Sequence, residues 1–233
     1  MNFQQMENLM QENLNVLRHC PLFSGIESAD LLQLLQCLGA HTDFYDKKYT
    51  IFAEGKPARF VGVVLSGSAQ IQRTDYNGNR SILANVLPGE LFAEAFACAG
   101  VEAMPVSVVA NEPSVILLID SERILRPCAG HCGFHQQLIY NLMQNLAVKS
   151  VQMQQKLQVL SCRTTREKLL TYLTQQTQKT GSSTVTVPFD RQALADFLEV
   201  DRSGLSAEIS KLRKEGILAC RKNQFVLRGR YPL

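Results

Sequence analysis

The chain has 233 residues, 45% hydrophobic and 19% charged, which is apolar enough for one or two packed cores and argues against a disordered polymer. Apolar runs such as Ser114–Ile119 fall far short of the ~18 residues of a membrane span, and the first residues lack a basic and apolar secretory leader. Seven cysteines without regular spacing do not make a disulfide scaffold, so a reducing cytoplasm is expected. Residues 161–233 hold 13 of the 24 basic residues but 7 of the 21 acidic ones, a net +6, against −3 for residues 1–160. A basic segment joined to an acidic one is the electrostatic footprint of a nucleic-acid-binding module attached to something else.

Residues 1–38 read as helical. Met6, Leu9, Met10, Asn13, Leu14 and Leu17 keep a spacing near 3.6 until Pro21, and Ser28 is placed to cap a helix over Ala29–Leu38 that Gly39 ends. From about 41 to 120 the texture turns to β. Phe60–Leu65, Ser68–Thr74, Arg80–Val86, Val106–Ala110 and Val115–Ile119 are strand-like, separated by Glu54-Gly55, Ser66-Gly67, Asn77-Gly78 and Leu87-Pro88-Gly89. Asn77-Gly78 is the strongest hairpin signal, because a type I′ turn needs positive φ at both central residues. Many short strands punctuated by glycine suggest an antiparallel barrel or sandwich.

Residues 134–160 then form one long helical pattern without Gly or Pro. Leu142, Leu146, Met153, Leu157 and Leu160 fall close to a 3,4 spacing, with Ile139 and Lys149 filling the series. So narrow a stripe resembles a coiled-coil seam, imperfect at Lys149; the alternative is a helix packed along its own barrel. Thr164-Thr-Arg-Glu167 has capping-box spacing ahead of Leu169, Leu170 and Leu173, and that helix stops near Gly181. A strand Thr184–Val187 follows, then two short helices, Arg191–Leu198 and Arg202–Glu215, capped by Asp190 and Asp201. Gly216 ends the second, and Ile217–Cys220 with Phe225–Leu227 make a hairpin around Arg221–Gln224.

Two short helices joined by a tight turn, with Ala195, Val200, Leu205, Ile209 and Leu212 inside, match a helix-turn-helix. Ala195 must be small where the helices cross, Val200 plugs the turn, and the three larger residues fix the second helix to the first. That leaves Arg202, Ser203, Ser206, Ala207, Ser210 and Lys211 outside, a small, polar and basic face that fits a major groove ~12 Å wide. Arg202 is the candidate for bidentate contact to guanine. Arg191, Gln192 and Asp201 stand at the two helix starts, and Arg221 and Lys222 at the hairpin tip are placed for phosphate contact.

Read in order, the chain resembles the Crp/Fnr family of bacterial transcription regulators over essentially its whole length. The carriers are Thr50-Ile-Phe-Ala-Glu-Gly-Lys-Pro57, Val63-Val-Leu-Ser-Gly67, Leu87-Pro-Gly-Glu-Leu-Phe-Ala-Glu94, the long helix, and Asp190–Gly216. The resemblance implies an α+β architecture in three parts. These are an effector-sensing antiparallel β-roll (jelly-roll-like) over 1–133, a dimerisation helix over 134–161, and a winged helix-turn-helix DNA-binding domain over 162–233. It further implies a homodimer seamed by Ile139, Leu142, Leu146, Met153, Leu157 and Leu160, an activator with RNA polymerase as a partner, and a palindromic operator on double-stranded DNA. The two recognition helices would then sit ~34–36 Å apart. The effector pocket would be lined by Leu91, Phe92, Glu94, Met104, Pro105 and Val106.

Several departures from the family pattern matter. Cyclic-AMP-binding members end their phosphate cassette in Arg-Ser; here those positions hold Met104 and Pro105, neither of which makes a charged contact, so cAMP is not expected. Glu94 stands where a ribose-binding carboxylate lies, or is a structural carboxylate. The iron–sulfur branch needs clustered N-terminal cysteines, and only Cys20 precedes Cys37, so no iron–sulfur cluster is expected. Haem stays open through His19, Cys20 or His41. Cys128, His131, Cys132 and His135 stand at i, i+3, i+4 and i+7, a pattern open to zinc or a redox switch, or to an incidental loop-to-helix junction. Many relatives carry Arg at the position of Ala207, and Glu199 occupies a turn position where the family commonly has Gly, so strain is expected there.

The expectation is a regulator controlled allosterically by an unidentified small-molecule or redox effector in the roll. A constitutive regulator with a vestigial pocket, and a Cys/His metal or haem redox sensor, are the alternatives. An enzyme is not expected: Cys98 lies near Glu94, but no His–Cys pairing is legible.

Overall fold

The computed structural model describes residues 13–74, 80–126 and 133–228. Its N-terminal unit opens with α1 (Leu14–His19), a 3-10 turn (Pro21–Phe23) and α2 (Ser28–Cys37). α2 starts one residue earlier than the sequence suggests. Glu27 is the N-cap residue, and the Ser28 hydroxyl accepts from Arg18 Nε at 2.8 Å instead of capping. Gly39, at φ 60°, ends the helix as expected. Met6, Leu9 and Met10 lie outside the described residues.

The strands are β1 (His41–Tyr45), β2 (Thr50–Phe52), β3 (Phe60–Ser66), β4 (Ala69–Thr74), β5 (Arg80–Val86), β6 (Leu91–Phe92), β7 (Ser107–Ala110) and β8 (Ser114–Asp120). They form two antiparallel four-stranded sheets, in the orders β1-β8-β3-β6 and β2-β7-β4-β5. β3 and β8 lie mid-sheet and bury Val61, Val63, Val64, Leu65, Ile116, Leu117, Leu118 and Ile119, which is why they read as continuous apolar runs and not as alternation. Gly62 is required by its neighbour: a Cβ there would stand 2.1 Å from the ring of buried Phe92. Asn77-Gly78 lies outside the described residues, but β4 and β5, which it would join, pair from Ala69 opposite Val86 to Thr74 opposite Arg80.

α3 (Glu94–Cys98) follows β6, and α4 (Ser121–Leu125) follows β8, before the long helix α5 (Gly133–Ser161). The first turns of α5 belong to the N-terminal core. Leu138 and Leu142 are buried there, Asn141 Nδ2 donates to the carbonyls of Leu22 at 2.9 Å and Ser24 at 2.7 Å, and His135 Nε2 meets the Ile124 carbonyl at 2.7 Å. Each fully buried leucine contributes about 1.5–3 kcal/mol.

The chain divides into two compact units inside α5, between Ala147 and Val148. In the second unit the end of α5 packs through Val159 on α6 (Thr165–Thr180), whose Gln175 Nε2 donates to the Gln155 carbonyl and Gln158 Oε1, each at 3.1 Å. Thr164 and Glu167 form the expected capping box. β9 (Thr184–Thr186), α7 (Arg191–Leu198), α8 (Arg202–Lys214), β10 (Leu218–Arg221) and β11 (Gln224–Leu227) complete the unit, with sheet order β10-β11-β9. The hairpin is tighter than the sequence suggests: Arg221 faces Gln224, and Lys222, at φ 56°, and Asn223 make the turn. Among the described residues no helix is long and apolar enough to cross a membrane.

Candidate functional site

α7 and α8 begin as the sequence requires. Asp190 Oδ1 accepts from the Ala193 amide at 2.8 Å, and Asp201 Oδ2 accepts from the Gly204 amide at 2.9 Å and from the Ser203 hydroxyl. The Ser203 hydroxyl and the Gly204 amide hold the Asp201 carboxyl below its ordinary range. Leu194, Ala195 and Leu198 on α7 are buried with Leu205, Ile209 and Leu212 on α8, and Val200 packs partly buried in the turn. Glu199 adopts the left-handed conformation anticipated for a turn glycine, φ 52° and ψ 55°. Lys168 Nζ ties this turn to α6 by donating to the carbonyls of Leu198 at 3.1 Å and Glu199 at 3.4 Å. A cation at the C-terminal end of α7 is favourable to the helix dipole.

Arg202, Ser203, Ser206, Ala207, Ser210 and Lys211 are all exposed on α8. From α6, Arg166 grips the helix through Glu208 at 3.5 Å and through both carboxylate oxygens of Glu215. Arg166 accordingly keeps the Glu215 carboxyl below its ordinary range. Sequence reasoning missed this clamp, because its partners stand 42 and 49 residues apart and leave no local pattern.

Arg221 and Lys222 are exposed at the hairpin, and neither has an ion pair among the described residues. Arg191, in the first turn of α7, lies over the Phe225 ring at 5.7 Å with Nη2 3.6 Å from Cys220 Sγ, and its buried Nη1 has no hydrogen-bond partner among the described residues. Phe189, Arg191, Leu194, Lys222, Asn223 and Phe225 line a concavity of about 440 Å³ between helix and hairpin. Gln192 is turned to its own helix, with Nε2 2.8 Å from Asp196 Oδ1.

In the N-terminal unit the expected pocket residues divide. Leu91, Phe92, Glu94, Met104 and Val106 are buried, and Pro105 is exposed. Met104 and Phe92 belong to the apolar core, and the Phe92 ring stands 5.5 Å from that of Phe52. Ala93, at φ 61°, turns the chain into α3, where Glu94 opens the helix. Burial, then the Glu94 charge, push the Cys98 thiol up, so it is protonated at neutral pH and a poor nucleophile. No Lys, Arg or His occurs between Arg80 and Arg123, whereas Glu90, Glu94, Glu102, Glu112, Asp120 and Glu122 do. Lys56, whose backbone pairs with that of Met104, has an exposed side chain. At the two positions expected to hold a cyclic phosphate, Met104 is apolar and buried and Pro105 has no N–H to donate, so these residues offer it no cation and do not fit it.

Cys128, His131 and Cys132 lie outside the described residues. His135 is buried, with Nδ1 lacking a hydrogen-bond partner among the described residues. His19 Nδ1 is engaged by the Asn15 carbonyl at 2.6 Å, His41 faces Asp43 at 3.9 Å, and Cys20 is buried. Among the described residues no group of three His, Cys, Asp or Glu is arranged to hold a metal ion.

On α5 the residues expected in the seam differ in burial. Leu142 lies in the N-terminal core, Leu146 packs partly buried against it, and Ile139 and Leu160 are half-buried. Met153 and Leu157 remain exposed, joined by Tyr140, Met143, Val148 and Val151. At 3.6 residues per turn Tyr140, Met143, Ala147 and Val151 share one side of the helix.

Residues 42–131 match the model of the cyclic nucleotide-binding domain, and residues 167–230 match that of the Crp-like helix-turn-helix domain. No curated protein matches the chain. Among solved structures, the catabolite activator protein of Thermus thermophilus is 23% identical with a TM-score of 0.53, over 89% of this chain and 93% of that one. The c-di-GMP-responsive global regulator CLP of Xanthomonas campestris is 18% identical with a TM-score of 0.54, over 87% of this chain and 100% of that one. The sensor domain of the regulator DNR of Pseudomonas aeruginosa is 22% identical with a TM-score of 0.52, over 68% of this chain and 99% of that one. These likenesses concern the fold. The two family models, matched in the order and on the units described, make the chain a member of the Crp/Fnr family of DNA-binding transcription regulators.

Proposed function

We propose that the chain acts as a homodimer that reads a palindromic operator with α8, holds the duplex backbone with Arg191, Arg221 and Lys222, and answers to an effector other than cAMP. The observation that carries the DNA contact is a set of exposed cations on one unit without ion pairs among the described residues: Arg202 at the start of α8, and Arg221 and Lys222 at the hairpin. Such cations are available to replace counterions on phosphate, and Arg191 lines the concavity beside Lys222. The exposed side of α5 supports the homodimer, since its apolar residues would be covered by the same helix of a second copy. RNA polymerase is the partner such a regulator would engage once on DNA.

The test is binding to duplex DNA as a function of salt. Log affinity should fall linearly with log salt, and Arg221→Ala should reduce the slope by about one unit, because one phosphate is no longer neutralised. A slope unchanged in Arg221→Ala and in Lys222→Ala would remove the hairpin from the interface. A second reading, constitutive binding with a closed pocket, is favoured by Phe92 and Met104 filling the roll with apolar side chains. Calorimetry against cyclic nucleotides and small-molecule pools separates the two. Heat on adding a metabolite pool supports an effector, and heat with cAMP overturns the exclusion of cAMP.

A further inference from the structure

The outer face of α8 has long side chains at Arg202 and Lys211, and only small ones, Ser203, Ser206, Ala207 and Ser210, between them. With Leu205, Ile209 and Leu212 marking the buried side, Lys214, Ala207, Ser203 and Ser210 fall nearest the middle of the exposed one, the last three of them ahead of Lys211. Two of those three groups are already engaged. The Ser203 hydroxyl donates to Asp201, and Ser210 Oγ donates to the Ser206 carbonyl at 2.9 Å. Midway along the helix, the group nearest the centre of this face is the Ala207 methyl, while Arg202 presents guanidinium donors at the helix start. The Arg166 clamp and the Asp201 cap fix α8 in the unit, so this face has one orientation.

We infer that Ala207 is a specificity-determining residue that reads the C5-methyl of a thymine, about two base-pair steps from the guanine contacted by Arg202. The inference rests on the reading of α8 as the DNA-contacting helix. An alanine methyl offers no donor or acceptor, and its match in the major groove is the thymine methyl; an arginine fork matches guanine O6 and N7. Five residues at ~1.5 Å rise place the two side chains ~7.5 Å apart along the helix, about two steps of ~3.4 Å on the duplex.

The experiment is selection from a random duplex pool with the full chain, followed by replacement of each thymine in the selected half-site with deoxyuridine, which removes the methyl alone. One such replacement should weaken wild-type binding about fourfold, the effect of burying a single methyl group. It should have no effect on Ala207→Gly, and Ala207→Arg should select guanine near that position. A wild-type motif in which no deoxyuridine replacement distinguishes wild type from Ala207→Gly overturns the inference and leaves α8 as the reader. Failure of the wild-type chain to enrich any sequence, at salt low enough for phosphate contacts alone to hold the duplex, overturns the reading of α8 and the inference with it.

Discussion

Glu199 holds a left-handed backbone at the turn between α7 and α8, with its side chain exposed and its carbonyl held by Lys168. A non-glycine residue there costs about 1–3 kcal/mol, and glycine gives back part of that difference through its freer unfolded chain. Glu199→Gly should therefore stabilise the C-terminal unit by about 0.5–1 kcal/mol, read from urea unfolding. This strain was legible through the family resemblance, because Glu199 stands at the turn position where relatives commonly have Gly. Asp201 carries a pH dependence. Its folded pKa is lowered, first by the Ser203 hydroxyl and then by the Gly204 amide, so its contribution to stability is complete above the unfolded aspartate value near ~3.9 and is lost as pH falls through the lower folded one. Asp201→Asn, which still caps, should flatten the acid limb of thermal stability below about pH 4. A limb of the same steepness would show that other carboxylates govern it.

At the scale of elements, the helix-turn-helix was readable because its buried positions repeat at helical spacing between capping residues. Leu205 is fully buried between the two helices, and Leu205→Ala should cost about 2–5 kcal/mol in chemical denaturation. α5 was readable as a helix, but its faces were not. Apolar spacing marks positions that leave water without telling which surface covers each, and Leu142 and Leu138 are covered by the chain's own N-terminal core. The two faces give different outcomes on mutation. Leu142→Ala should destabilise the N-terminal unit by about 2–5 kcal/mol and leave the oligomeric state unchanged. Met143→Asp with Val151→Asp should shift sedimentation from dimer to monomer with little loss of fold. A monomeric wild type, or a double variant still dimeric, would reassign this stripe.

Across the whole molecule, the charge asymmetry of the sequence now has a structural location. The basic excess includes Arg202, Lys211, Arg213, Lys214, Arg221 and Lys222, all exposed on the C-terminal unit. The N-terminal unit matches the cyclic nucleotide-binding domain, while its segment from Ser81 to Glu122 holds no Lys, Arg or His and has Met104 and Pro105 where the resemblance implies the family's phosphate contacts. That difference was legible residue by residue; the packing of Met104 and Phe92 into the core was not, because it depends on strands distant in sequence. The most direct measurement is hydrogen–deuterium exchange over the full chain, with and without a duplex selected from a random pool. Protection by the duplex is expected over residues 202–211 and 221–223, and the protection of α8 should disappear in Arg202→Ala at matched concentration. Protection confined to the N-terminal strands, with α8 exchanging equally in both samples, would contradict the assignment of α8 as the surface that meets DNA.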